Sequence, residues 1–394
     1  MEETMKLADK YMFPTYKRVP ITLVRGEGCR VWDESGKEYL DFVGGIAVCA
    51  LGHSSPLVSR ALAEQSKTLV HVSNLYYTKP QIELAKLLVE NSFAGRAFFC
   101  NSGAEANEAA IKLARRYSRE KYGAGRHTII SMLNSFHGRT MGTLSATGQS
   151  KIQIGYEPFL DGFRFVPFND AKALKEALDD SVCAVMMEPI QGEGGVVCPS
   201  AGYLREVKGM CGERGLLLIF DEVQSGMGRT GKLFAHEHYG VTPHVMTLAK
   251  ALGNGLPIGA MLAVEELSSV FGPGSHATTF GGTPLVTAVS VAVIKSLLQD
   301  GWLDHCRKMG EYFLGRLKGL QGKHRCIKEV RGLGLIVGME IDMPGAPLVD
   351  ACMEKGFLIN CVQDKILRFV PPLIVSKNEI DPLVDTLDEL LGAV

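Results

Sequence analysis

The sequence predicts an α/β fold, with a large region built on a mostly parallel seven-stranded sheet wrapped by helices and a small α+β region beside it. Seven short apolar runs occur between residues 96 and 264, and helix-length segments separate most of them. Such alternation is typical of parallel sheets. Strand-like patterns in residues 21–53 and beyond residue 300 predict the small region. A chain of 394 residues is also too long for one ordinary core.

The elements follow in chain order. Residues 21–53 alternate apolar and polar residues around glycine-rich turns, which predicts strands, and amphipathic helices are predicted over 57–69 and 80–92. Further helices are predicted over 105–122 and 171–180 and from about residue 284, then strands within 326–341 and 357–372 and a C-terminal helix. The seven predicted strands of the large sheet are RAFFC (96–100), HTIISM (127–132), GFRFVPF (162–168), VCAVMMEPI (182–190), LLLIFDEV (216–223), VMTLAK (245–250) and GAMLAV (259–264).

This order predicts three segments. Residues 1–60 form an N-terminal part of the small domain, 61–299 a large ligand-binding domain, and 300–394 the C-terminal part of the small domain.

Composition excludes several classes of function. The formal net charge is −1, from 42 basic and 43 acidic residues, so a basic field that holds nucleic acid is not expected. The apolar runs are far shorter than the roughly 20 residues that a membrane helix needs, and the N-terminus lacks the pattern of a signal peptide. The ten cysteines form no CxxC pair and no zinc spacing, so we expect free thiols in a reducing cytoplasm and no metal site.

Two glycine-rich stretches resemble nucleotide-binding motifs only in part. GMGRTGKL (226–233) fits the P-loop pattern except that Leu233 stands where Ser or Thr would bind magnesium. A P-loop and the acid that helps to hold magnesium follow different strands, whereas Asp221 and Lys232 share one connection. GLGLIVG (332–338) lacks the dinucleotide spacing, and we predict a close packing turn there. A nucleotide hydrolase is therefore not favoured.

Polar residues follow several predicted strands, where ligands bind in open parallel sheets. Ser102 with Glu105 matches a capping box, so a helix begins there; its free N–H groups could bind phosphate, although a plain cap fits this segment equally well. Phe136 could stack on a planar cofactor or lie in the core. His137 could be a packed histidine, and Arg139 could bind a carboxylate or be solvated. The acids Glu188 and Glu193 end another such segment.

Lys250 lies directly after an apolar run, 29 residues beyond Asp221, which is about one strand–helix–strand unit. In a crowded pocket, desolvation lowers the pKa of a lysine and makes it a nucleophile toward aldehydes. A lysine, an acid, a phosphate-binding helix start and an aromatic plate together predict a pyridoxal 5′-phosphate (PLP) site. Asp221 would keep the pyridine nitrogen protonated, and Gln224 could bind the ring hydroxyl.

Ordered motifs over nearly the whole chain then resemble one family, the class III (subgroup II) PLP-dependent aminotransferases of fold type I. The motifs that carry the resemblance are NSGAEANEAAIKLAR, FHGRTMGTLSATG, EPIQGEGGV, DEVQSGMGRTG, TLAKALGNGLPIGA, ATTFGGTPL and LRFVPPLIV.

The resemblance implies that Lys250 carries PLP and that Asp221 binds its pyridine nitrogen; these two are the expected catalytic residues. Thr279 matches a threonine that reaches the phosphate of the partner subunit, which implies a homodimer with shared active sites. The other positions that it assigns to the cofactor are Ser102, Gly103, Ala104, Phe136, His137, Glu188, Val223, Gln224 and Thr278.

The resemblance also assigns substrate-binding residues. Arg139 and Arg368 match arginines that bind substrate carboxylates, and Glu193 matches a glutamate that pairs with the second arginine while an ω-amino substrate is bound. Tyr16 falls where a tyrosine contacts the far end of the substrate. Ile46 stands where ornithine-specific members carry tyrosine; a smaller apolar residue favours an acylated amine, since burying an unpaired ammonium is costly.

The expected reaction is transfer of the ω-amino group of N2-acetyl-L-ornithine to 2-oxoglutarate, a step of arginine biosynthesis. Ornithine, succinylornithine or 4-aminobutyrate could be the donor instead. An aminomutase is disfavoured because two carboxylate-binding arginines suit two alternating substrates. A non-catalytic protein of the same fold is disfavoured because Lys250 is intact.

Overall fold

The computed structural model describes residues 2–393. The strands are β1 (Leu23–Glu27), β2 (Arg30–Asp33), β3 (Glu38–Asp41), β4 (Arg96–Cys100), β5 (Thr128–Met132), β6 (Phe163–Val166), β7 (Val182–Met187), β8 (Leu217–Asp221), β9 (Val245–Leu248), β10 (Gly259–Ala263), β11 (Ile327–Leu333), β12 (Ile336–Ile341), β13 (Phe357–Leu358), β14 (Asn360–Val362) and β15 (Ile366–Phe369).

The helices pack around these strands and connect them. They are α1 (Glu2–Tyr11), α2 (Gly44–Ala47), α3 (Pro56–Ser66), α4 (Lys79–Glu90), α5 (Gly103–Tyr122), α6 (Met141–Ala146), α7 (Ala171–Ala177), α8 (Tyr203–Arg214), α9 (Pro284–Gln299), α10 (Trp302–Lys323), α11 (Ala346–Glu354) and α12 (Lys377–Gly392).

The large sheet has seven strands in the order β4-β10-β9-β8-β7-β5-β6. These are the seven strands predicted from the sequence, and the mostly parallel arrangement is confirmed. Only β10 runs against its neighbours, β4 and β9. Strands β7 and β8 are buried along their whole length, as expected for a sheet covered by helices on both faces. The carboxyl ends of β4, β5, β7, β8 and β9 therefore lie at one edge of the sheet.

The small region has two four-stranded sheets, ordered β1-β2-β3-β13 and β11-β12-β15-β14. Strand β13 pairs in parallel with β3, placing Phe357 opposite Leu40. The N- and C-terminal segments therefore share one sheet, which confirms a small α+β region built from both. The boundaries after residues 60 and 299 stay predictions.

Within residues 2–393, no single helix is long and apolar enough to cross a membrane. Helices α9 and α10 reach that length and composition only as a pair, bent by 66°.

Candidate active site

A cavity of about 490 Å³ opens at the carboxyl ends of the parallel strands. Its volume lies within the range of small-molecule and cofactor sites. Most of the residues predicted for the site line this one cavity: Ser102, Gly103, Ala104, Phe136, His137, Arg139, Glu188, Glu193, Asp221, Val223, Gln224 and Lys250.

Lys250 follows β9 and lies in the left-handed backbone region, with φ of 46°. A non-glycine residue there costs roughly 1–3 kcal/mol and persists only where the surrounding structure enforces it. Burial lowers the pKa of Lys250 from 10.5 to about 8, although the Glu193 carboxylate opposes this effect. A substantial fraction of its amine is therefore neutral near physiological pH, as a nucleophile requires.

Asp221 ends β8 and is 3% exposed. Its Oδ2 accepts a hydrogen bond from Nδ2 of Asn107 at 2.7 Å and lies 2.7 Å from Nδ1 of His137. Its Oδ1 accepts one from the backbone N–H of Val223 at 3.0 Å. These three contacts fix the orientation of the Asp221 carboxyl group at the cavity wall.

The turn from β4 into α5 forms another wall. The hydroxyl of Ser102 accepts a hydrogen bond from the N–H of Glu105 at 3.1 Å, so Ser102 caps the helix as predicted. In a full capping box, the Glu105 carboxylate would accept from the N–H of Ser102. It accepts instead from the N–H of Asn101, one residue earlier, at 2.7 Å. The N–H groups of Gly103 and Ala104 belong to the first turn, which has no intrahelical acceptors, and they can bind an anion.

The connection after β5 carries Phe136 and His137 into the cavity. The N–H of Phe136 donates to Glu188 at 3.1 Å, and Glu188 also accepts from the N–H of Gly192 at 3.2 Å. Burial and the nearby charge of Asp221 raise the pKa of Glu188 well above its ordinary value. Glu188 thus supports the connection after β5 and places a second acid beside Asp221.

Arg368 lies on β15 of the small region and is 1% exposed. Its Nη1 lies 2.5 Å from Oε1 of Glu193 and 3.2 Å from Oε1 of Gln224. Burial raises the pKa of Glu193, but Arg368 and Lys250 outweigh it and hold that pKa below its ordinary value. Two residues predicted from separate motifs, 175 positions apart, are therefore an ion pair.

The backbone of the Glu193 loop is held from the small region. The guanidinium of Arg331 donates to the carbonyl of Gly195 through Nη2 at 2.9 Å and Nε at 3.1 Å. The side chain of Gln363 donates to the Glu193 carbonyl at 3.0 Å. The backbone of the loop is thus fixed, and the Glu193 side chain that it carries is 27% exposed.

Five of the predicted site residues do not line this cavity in the single chain. One is Arg368, which reaches the site through its contacts with Glu193 and Gln224. Tyr16 is 73% exposed and Ile46 is 44% exposed. Thr279 is exposed, and Thr278 accepts a hydrogen bond from the Asn101 side chain at 3.1 Å.

The loop that carries Ile46 is constrained at its base. Asp41 accepts hydrogen bonds from the N–H groups of Val43 and Gly44 and lies 2.7 Å from Nε2 of His53. Hydrogen bonding to Asp41 and to the Cys49 thiol raises the pKa of His53 to about 10. The loop then brings Val48 to the cavity wall.

The acid next to Asp221 has a structural role. Glu222 is 1% exposed and accepts hydrogen bonds from the N–H groups of Ala235 and His236 and from the His236 ring. In the near P-loop that follows, the buried Arg229 donates to the carbonyls of Leu335 and Pro371 in the small region. The stretch GMGRTGKL therefore joins the two regions of the molecule.

Sequence reasoning missed Asn107, which is 1% exposed and contacts both Asp221 and the carbonyl of His137. One signal was available in the sequence. Asn107 is a polar residue on the face of α5 that otherwise buries small and apolar side chains such as Ala106, Ala110 and Leu113.

Comparisons with known proteins agree with this geometry. The family model described as aminotransferase class-III matches residues 11–391. The acetylornithine aminotransferase of Caldanaerobacter subterraneus subsp. tengcongensis is 55% identical over 98% of both chains. That of Methanocaldococcus jannaschii is 52% identical over 100% of this chain and 99% of its own. The chain therefore belongs to the class-III aminotransferase family.

Solved structures are similar throughout. The ornithine aminotransferase of Toxoplasma gondii ME49 superposes with a TM-score of 0.96 at 33% identity, over 100% of this chain and 95% of its own. N-acetylornithine aminotransferase from Stenotrophomonas maltophilia K279a gives 0.86 at 37% identity, over 99% and 98%. A further structure of the Toxoplasma gondii enzyme has PLP at partial occupancy in its active site. PLP is the cofactor of this family.

The residues of this cavity fit PLP. A Cβ added at Gly103 would lie 2.8 and 2.9 Å from the methyl groups of Val223, so only glycine keeps this corner of the cavity open. Nε2 of His137 is buried and has no hydrogen-bond partner among residues 2–393. Lys250 and Asp221 supply the amine and the acid that PLP chemistry uses.

Proposed function

We propose that the protein transfers the ω-amino group of N2-acetyl-L-ornithine to 2-oxoglutarate, giving N-acetyl-L-glutamate 5-semialdehyde and L-glutamate in arginine biosynthesis. The observation that carries the proposal is the buried Arg368–Glu193 pair in the same site as Lys250. A buried cation with a movable counter-ion suits two substrates that differ in charge. The full-length similarity to acetylornithine aminotransferases gives independent support.

When bound, PLP supplies an aldehyde that takes up amino groups and a ring that accepts electrons. The Lys250 amine would hold the cofactor and move the proton at the reacting carbon, a task that its lowered pKa suits. Asp221 would hold the proton on the ring nitrogen. The turn formed by Ser102, Gly103 and Ala104 would bind the phosphate, and Phe136 and Val223 would face the ring.

Arg368 would bind the carboxylate of 2-oxoglutarate after Glu193 moves away. While the acetylated donor is bound, Glu193 would neutralise Arg368, because an unpaired buried guanidinium is costly. Gln224 contacts both side chains, so it would complete this pair in addition to its predicted place at the ring hydroxyl. The exposed Arg139 at the cavity wall would bind a second carboxylate.

We further propose a homodimer with shared active sites. Four large apolar side chains cluster in two neighbouring segments and are between 63% and 95% exposed: Leu75, Tyr76, Tyr77 and Phe280. The side chain of Asn74 donates to the carbonyls of Thr278 and Gly281, which holds the two segments together. Exposed apolar patches of this kind mark protein–protein interfaces. In the dimer, Thr279 would reach the phosphate in the partner's site.

Sedimentation equilibrium at micromolar concentration measures this assembly. A monomer with full activity would remove the dimer proposal. We also place the enzyme in the cytoplasm, since all ten cysteines are free thiols.

The decisive experiment compares donors. The purified protein is assayed with acetylornithine, ornithine, succinylornithine and 4-aminobutyrate against 2-oxoglutarate, and acetylornithine should give the highest kcat/KM. Faster turnover of ornithine would reject this specificity, and the structural similarity to an ornithine aminotransferase makes ornithine the competing donor to test. The visible absorption of the bound cofactor should disappear in Lys250→Ala. A wild-type protein that ignores added PLP would reject the enzyme proposal itself.

A further inference from the structure

Asn107 connects two neighbouring strand ends of the large sheet. Asp221 and Thr247 are register partners on β8 and β9, and Asn107 lies above them on α5. The Thr247 hydroxyl donates to Oδ1 of Asn107 at 2.7 Å. Nδ2 of Asn107 donates to Oδ2 of Asp221 at 2.7 Å and to the carbonyl of His137 at 2.8 Å. Both hydrogens of this buried amide therefore have an acceptor.

This hydrogen bonding allows only one orientation of the amide. If the amide were turned over, Oδ1 of Asn107 would face a carboxylate oxygen and a carbonyl oxygen, and Nδ2 would face the hydroxyl of Thr247. In that orientation three buried oxygen atoms, those of Asp221, His137 and Asn107, would face one another without a donor between them. Unsatisfied buried polar atoms are costly. The Asp221 carboxylate and the His137 carbonyl thus specify this orientation, and the Thr247 hydroxyl, which can donate or accept, is compatible with it.

Helix α5 begins at Gly103, one turn before Asn107. The start of this helix provides the predicted phosphate-binding turn, and its second turn holds Asp221 through Asn107. The same rigid element therefore sets the separation between the phosphate turn and the acid, which is the length that the cofactor must span. Thr247 also lies three residues before Lys250, so the contact reaches the strand that carries the nucleophile.

We propose that Asn107 is a positioning residue for the cofactor ring, which fixes the Asp221 carboxylate so that the ring nitrogen stays protonated. The proposal rests on the proposed role of Asp221. Asn107 and His137 occupy Oδ2, and Val223 N–H takes one lone pair of Oδ1, so the other lone pair of Oδ1 would be left to accept from the ring N–H of bound PLP. Loss of Asn107 leaves Oδ2 in contact with His137 alone, which loosens the orientation of the carboxylate and removes one of its donors.

The test uses holoenzyme reconstituted with PLP that carries ¹⁵N in the ring. Asn107→Leu keeps the number and branching of the non-hydrogen side-chain atoms with somewhat greater bulk, and Asn107→Ala removes bulk but favours the helix, so the two variants guard against different folding defects. In both, the ¹⁵N resonance should move toward the value of an unprotonated ring nitrogen. The dissociation constant of PLP should rise about 10- to 100-fold, the cost typical of removing an outer hydrogen-bond partner that orients a ligand-binding side chain. A fall in kcat should accompany this, with KM for both substrates changed less than about twofold.

Ser118→Ala is the matched control. Ser118 is also on α5, is 1% exposed, and donates to the carbonyl of Arg126 at 2.7 Å, so this variant loses a buried hydrogen bond far from the cavity. It should lower Tm but leave the ¹⁵N resonance and PLP affinity unchanged. A wild-type resonance in either folded Asn107 variant overturns the proposal. Failure of the wild-type protein to bind PLP would instead reject the proposed function.

Discussion

Lys250 should make the stability of the apoprotein depend on pH. Burial lowers its pKa from 10.5 to about 8. Between these values the unfolded chain binds one more proton than the folded protein, so the free energy of unfolding rises with pH across this window. The full difference corresponds to about 3 kcal/mol, at about 1.4 kcal/mol per pH unit. Because the side chain is partly exposed, solvent screening reduces the expected effect to about 1–2 kcal/mol.

Lys250→Met keeps the length of the side chain and removes the titrating amine. Urea unfolding of both apoproteins, at one protein concentration and at pH 7, 8, 9 and 10, gives the free energy of unfolding of each. At pH 7 the wild type pays the cost of burying a charged amine, which the variant lacks. Between pH 7 and 10 the free energy of unfolding of the wild type should therefore rise by about 1–2 kcal/mol relative to that of the variant. Titrating groups that do not interact with Lys250 cancel in this comparison. Parallel pH curves for the two proteins would refute the reasoning.

Three further substitutions test the cavity. Gly103→Ala places a methyl group 2.8 Å from Val223, so PLP affinity measured by fluorescence quenching should fall at least about tenfold. Unchanged affinity would contradict the proposal that this turn binds the phosphate of PLP. Glu193→Gln removes the charge that neutralises Arg368, so the kcat/KM of acetylornithine relative to glutamate should fall about tenfold. An unchanged ratio would contradict the proposed alternation of Glu193 between pairing with Arg368 and moving away from it. Ile46→Tyr should raise the kcat/KM of ornithine relative to acetylornithine about tenfold, and no change would remove Ile46 from donor selection.

The strands and the strand-end residues were accessible from the sequence because both signals are local. Each large-sheet strand is a short apolar run, and for β4, β5, β7, β8 and β9 a polar or aromatic residue at or after the strand end lines the cavity. Ser102, Asp221 and Lys250 were predicted on this basis, and all three line one cavity. The resemblance to a family added residues such as Arg368, which lies on a strand of the other region.

What the sequence could not supply was pairing across the fold. Gln224 was predicted at the ring hydroxyl, yet its amide also contacts Glu193 and Arg368. Nothing in the spacing of these residues indicates that contact. In the sequence, Asn107 is one polar residue within a helix. Only the packing of α5 on the sheet brings it into contact with Asp221 and Thr247. The capping-box pattern predicted that Glu105 accepts from the N–H of Ser102, whereas it accepts from the N–H of Asn101.

The sheet shared by β3 and β13 sets an order of events during synthesis. Leu40 pairs with Phe357, so the first strands of the chain complete their sheet only after almost all of the protein has been made. The seven strands of the large sheet end at Ala263, well before that point. Domains generally fold as units as the chain emerges, and contacts distant in sequence form slowly. The large sheet can therefore assemble first, while Arg368 is made more than a hundred residues later and then contacts Glu193 and Gln224 beside Lys250.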